Sequence, residues 1–151
     1  MDNLKKGKMR KEIIERNVYQ FDELSDRAKD NVRSMFSEYH WMDEAINTLN
    51  AFADAVGITI IDWSIDCGCS ARSYVKWEGE PSGRFISTDL SGYCMDYEIT
   101  TEWNKSRDVD AAISTLLNAI ERDYEHQMSD EYLSEHCKCN EYEFEEDGSL
   151  I

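Results

Sequence analysis

Proline is almost missing from this chain: one residue in 151, Pro81. With seven glycines besides, no stretch has the composition of a rigid or flexible linker, so one domain over 1–151 is expected. Residues 1–9 are polar and are expected to be disordered. No stretch approaches the roughly 18 consecutive apolar residues of a membrane span. No apolar run follows the charged start (Lys5, Lys6, Lys8, Arg10, Lys11), as it would in a secretory leader. A soluble, cytoplasmic protein with no membrane partner is expected. Catalytic signatures are missing too. There is no G-x-G-x-x-G, P-loop or G-x-S-x-G. The three histidines (His40, His126, His136) fall in neither H-x3-H nor H-E-x-x-H spacing. No enzyme is read from this sequence, although a Cys–His pair built on Cys94 or Cys137 stays open as composition.

Basic residues are scarce: 16 Lys and Arg against 32 Asp and Glu, for a net charge of −16. The imbalance is local. Residues 1–16 hold six basic and three acidic residues, a net +3, which leaves −19 for the rest. Residues 121–151 hold eleven acids against Arg122 and Lys138, for −9. Protein affinity for nucleic acid comes largely from neutralising phosphates, so direct DNA or RNA binding is disfavoured. Partners with basic surfaces are favoured. Solubility is the plainer use of the same charge.

What the chain does have is a substantial apolar fraction, 41%, with four Trp, eight Tyr and five Phe. The clearest pattern is Ser106–Met128. Val109, Ala112, Ile113, Leu116, Leu117, Ile120 and Tyr124 fall on one helical stripe. Ser106 is the expected N-cap, with Asp108 and Asp110 in the first turn. Helices are also expected from Ser25 to about Tyr39, from Met42 to Val56 with Gly57 as a left-handed cap, and over 130–137 behind Ser129. Strands are expected at 11–21, 58–66, 72–77, 84–88, 94–101 and in the alternating tail 140–145. The order β, αα, ββββ, αα, β predicts an α+β domain. It would be a mostly antiparallel sheet of about five to six strands, with helices packed on one face.

Cys67 and Cys69 form one C-x-C pair, and Cys137 and Cys139 another. Four thiolates make a tetrahedral zinc site if the pairs meet, although C-x2-C is the better spacing. Free thiols in a reducing compartment are the alternative, and an odd count of five argues against a disulfide framework. Glu141, Glu143 and Glu145, with Glu146 and Asp147, make a row of negative charge on the tail strand. Charged edge strands also serve to prevent aggregation. Trp63 and Trp77 are expected to face the helices. Trp41 and Trp103 fall at element ends, where a ring can anchor a partner.

Two segments carry a resemblance. Val18-Tyr19-Gln20-Phe21-Asp22-Glu23-Leu24-Ser25-Asp26-Arg27-Ala28-Lys29 resembles the opening of a group of small phage and prophage proteins of unknown function. Asn140-Glu141-Tyr142-Glu143-Phe144-Glu145-Glu146-Asp147-Gly148 resembles how members of that group end. Cys67–Ser73 departs from the serine- and glycine-rich run usual there. The resemblance implies a phage or mobile-element origin and supplies no catalytic residues. With the charge, it leads to one expectation: a non-enzymatic, anti-CRISPR-like or nucleic-acid-mimicking inhibitor. It would bind the basic surface of a host nucleic-acid-binding or defence protein through Glu141, Glu143, Glu145, Glu146, Asp147 and Trp103. The alternatives are a module stabilised by zinc on Cys67, Cys69, Cys137 and Cys139, a small-ligand-binding module, and an enzyme of unknown class. An open edge strand near either terminus would also allow a homodimer.

Overall fold

The computed structural model describes residues 9–68 and 70–151. Among them it contains α1 (Asp26–Met35), α2 (Met42–Val56), β1 (Thr59–Ser64), β2 (Tyr74–Glu78), α3 (Asp96–Ser106), α4 (Val109–Gln127) and α5 (Asp130–Cys139). The chain is α+β, but the expected sheet of five to six strands does not form. One antiparallel hairpin, β1–β2, is the only sheet among the described residues. Cα packing divides the chain into two units. One is Phe36–Leu133; the other is the chain up to Met35 together with Ser134–Ile151.

In the 36–133 unit, α4 is the helix its stripe predicted, with Val109, Ala112, Ile113, Leu116, Ala119 and Ile120 buried. Its cap is Asp108, whose carboxylate accepts from the Ala111 amide at 3.2 Å. Ser106 instead closes α3, donating to the Glu102 carbonyl at 2.9 Å. The stripe covers helices rather than a sheet. It meets α3 above all, then α2, which also touches β1.

Helix α3 replaces the strand expected at 94–101. The β-branched run Ile99-Thr100-Thr101 favours a strand, but the buried positions Met95, Asp96, Ile99, Thr100 and Trp103 recur every three or four residues, which is helical spacing. The strand expected at 84–88 does not form, and no strand among the described residues pairs with this segment. Side chains of α3 take the place of a neighbouring strand. The Asn104 carboxamide accepts from the Ile86 amide at 2.9 Å and donates to the Ile86 carbonyl at 3.0 Å. Trp103 Nε1 donates to the Arg84 carbonyl at 2.8 Å, and Arg107 Nε to the Gly83 carbonyl at 3.0 Å.

The hairpin carries a bulge between Ile60 and Asp62. Ile60 pairs with Trp77 and Trp63 with Val75, so residues three apart share one face. Ile60, Val75 and Trp77 pack on the core. Trp63 does not join them and stays exposed, contrary to expectation.

A buried carboxylate anchors the turn before α3. Asp96, 2% exposed, accepts from the amides of Leu90, Ser91 and Gly92 at 2.8–2.9 Å, and from the hydroxyls of Thr48 at 2.9 Å and Ser91 at 2.5 Å. Burial works to raise its pKa, but these hydrogen bonds together outweigh it and hold the carboxyl below its ordinary value.

In the other unit, Ser25 caps α1 through the Ala28 amide at 3.2 Å, as read from sequence. The strand expected at 11–21 shrinks to one bridging residue, Tyr19, followed by a 3-10 turn over Phe21–Glu23. The tail strand shrinks likewise to Phe144, which bridges Tyr19 on one side and Leu150 on the other. Phe144 is 0% exposed and is buried in a set with Phe21, Leu24, Ala28, Val32 and Cys137. Gly148, at φ +89°, turns the chain against α1. A Cβ there would stand 2.3 Å from the Ala28 carbonyl oxygen.

Candidate functional site

The acidic row is held on a defined backbone. Tyr19 and Phe144 exchange both amide–carbonyl hydrogen bonds at 2.9 Å. The Glu145 amide donates to Ser149 at 2.8 Å, and the Ile151 amide to Glu143 at 3.0 Å. Alternation then sends Phe144 inward, while Glu143 and Glu145 stay exposed, as do Glu141, Glu146 and Asp147. Among the described residues little neutralises them. Arg16 reaches Glu145 only at 3.9 Å with both side chains more than half exposed, a contact of small value in water. The Ser149 hydroxyl, and then the Ser149 amide at 2.8 Å, hydrogen-bond to the Asp147 carboxyl and hold its pKa below the usual range.

Trp103 does not belong with this row. It is 0% exposed, lies edge-on to Phe52 at 5.8 Å, and spends its N–H on Arg84. A ring this deeply packed offers no surface to a partner.

The cysteines named from sequence fall in both units, Cys67 in the 36–133 unit and Cys137 and Cys139 in the other. Cys67 is half-buried, Cys137 buried and Cys139 exposed, all as free thiols. Burial, then the Asp22 carboxylate, pushes the Cys137 thiol up to about 11. Burial, then Glu121 and Asp66, also raises Cys67. Among the described residues no three His, Cys, Asp or Glu side chains converge as metal ligands. Cys69 lies outside the described residues, as do residues 1–8 of the segment expected to be disordered.

The 36–133 unit holds a second constellation, which sequence reading did not assemble. A pocket of about 360 Å³ opens between the start of α2, the turn before α3 and the end of α4. Trp41 and Tyr93, 38% and 42% exposed, supply aromatic walls. Glu44 and Asp123 supply carboxylates, with Cys94, Met95 and His126 completing the lining. Cys94 and His126 line this cavity together, with no hydrogen bond between them among the described residues. Tyr39 donates to Asp123 at 3.2 Å. Burial and that carboxylate push the Tyr39 hydroxyl well above its ordinary value, so it remains a donor.

The aromatic wall is built from both sides. Trp41 lies edge-on to Tyr39 at 6.0 Å and to Tyr132 at 6.3 Å, and Tyr132 in turn meets His126 at 5.5 Å. Buried Gln127 fixes the backbone leading into Trp41. Its amide donates to the Glu38 carbonyl at 2.8 Å and its oxygen accepts from the His40 amide at 3.1 Å. Trp41 was legible as an element-end ring. The carboxylates that accompany it were hidden among 32 acids.

Compared with protein-family models, curated proteins and solved structures, the chain finds no match. No helix among the described residues is long and apolar enough to cross a membrane.

Proposed function

We propose that the chain is a non-enzymatic acidic interaction protein whose tail seats on the basic surface of a nucleic-acid-handling protein. The observation that carries this reading is the row Glu141, Glu143, Glu145, Glu146 and Asp147. It is exposed, nearly uncompensated among the described residues, and set on a backbone pinned by buried Phe144. Carboxylates held in place meet Arg and Lys with charge-assisted hydrogen bonds, and their field speeds encounter. A net charge of −16 extends that field and keeps nucleic acid itself away. The resemblance to small phage proteins makes a defence nuclease, including a CRISPR effector, the target class to try first.

The test compares the wild-type chain with one in which all five acids become Gln or Asn. Both are used to capture proteins from bacterial lysate, and each captured protein is assayed for displacement of a labelled DNA duplex. Displacement by the wild-type chain and a loss of about tenfold or more for the neutral tail supports the reading. Equal capture and equal displacement by both chains overturns it.

A further inference from the structure

We propose that the Trp41 pocket binds a trimethylammonium-type head group. Its chemistry points to a cation that is poorly hydrated and partly apolar. Two carboxylates, Glu44 and Asp123, face the cavity, and neither has a cationic partner among the described residues. Arg122, next to Asp123 in sequence, is engaged with Glu98 at 3.5 Å. Trp41 and Tyr93 line the same cavity as these carboxylates, and aromatic rings attract cations that shed water easily. The cavity, about 360 Å³, lies at the small end of the range of about 300–1,000 Å³ for ligand pockets, which suits a head group rather than a large ligand.

Other cations fit less well. Calcium takes about six to eight oxygen ligands, and two carboxylates beside a thiol and a thioether do not supply them. A primary ammonium is strongly hydrated and needs three acceptors. A guanidinium prefers both oxygens of one carboxylate, and with one Asp123 oxygen already shared with Tyr39 only Glu44 offers such a pair. An alkylated ammonium needs no hydrogen bond. It asks only for negative potential and aromatic surface.

The inference uses no residue of the acidic tail, so either can fail without the other. The test is NMR titration of the full chain with choline and with its uncharged isostere 3,3-dimethylbutan-1-ol, at constant ionic strength. The Trp41 indole signal is assigned by Trp41→Phe. Saturable shifts of that indole and of the Tyr93 amide are expected with choline, the isostere binding about tenfold more weakly. Glu44→Gln, an isosteric change at a half-buried position, should weaken choline about fivefold while the rest of the spectrum stays in place. A trimethyllysine peptide run in parallel tells the source: tighter than choline assigns a head group carried by a protein, equal or weaker a free small molecule. Equal binding of the isostere, no saturable shift at Trp41, or tighter binding of methylguanidinium overturns the proposal.

Discussion

The two units hold themselves together by different means. In the 36–133 unit, fifteen buried residues form one apolar cluster, and a buried carboxylate with five donors locks the adjoining turn. In the unit that carries the acidic tail, six apolar residues are buried among those described, and single bridges at Phe144 join it to Tyr19 and Leu150. A broad core shares its load among many contacts. A narrow one concentrates it on a ring, a glycine and a few backbone hydrogen bonds. The difference teaches where charge can be placed: the narrow unit exposes a row of like-charged residues because one deeply buried ring holds the backbone beneath them.

Trp103→Ala tests the broad core at its largest side chain. A loss of about 3–5 kcal/mol is expected in chemical denaturation, because the cavity and the freed Arg84 carbonyl add to the lost burial. Phe144→Ala is the matching test of the narrow unit, with about 3–4 kcal/mol lost locally. Hydrogen exchange at the Tyr19, Glu145 and Ile151 amides should accelerate by the corresponding factor. Equal protection in the variant would show that the bridges do not depend on the ring.

Gly148→Ala sharpens the same point. The new Cβ meets the Ala28 carbonyl at 2.3 Å, in a backbone region that alanine resists, and about 2–3 kcal/mol should be lost. A variant as stable as wild type would mean that the turn sits farther from α1 than described.

Asp96→Asn costs about 2 kcal/mol at neutral pH, since charge-assisted hydrogen bonds become weaker ones. The folded carboxyl has a lowered pKa, so its contribution is complete above the ordinary value of 3.8 and is lost as pH falls through the folded value. The stability gap between wild type and variant should therefore close in acid. A gap constant from pH 7 to pH 3 would remove the charge from the account. Smallest of all, replacing the five tail acids by Gln or Asn should leave the denaturation midpoint in place, which separates their role in contact from any role in folding.

Helices α1, α2, α4 and α5 and the hairpin were legible because period and caps are local signals. Ser25, Gly57 and Ser129 cap where they were read to cap. The rest was not local. Residues 94–101 carry strand-favouring side chains, and only burial against α4 turns them into a helix. The segment 84–88 has strand-like composition, yet Ile86 satisfies its backbone on Asn104, a partner 18 residues away that no pattern announces. The acidic row was legible because it is contiguous. The pocket was not, since Trp41, Tyr93 and Asp123 come from three distant stretches.

The Gln127 clamp has a consequence for whatever enters that pocket. One carboxamide, borne by the same helix as Asp123 and His126, staples the peptide groups on either side of Tyr39. The indole that follows is thus braced before any guest arrives. Recognition there costs little ordering entropy, and its selectivity is rigid: a guest too wide for the gap is refused rather than accommodated.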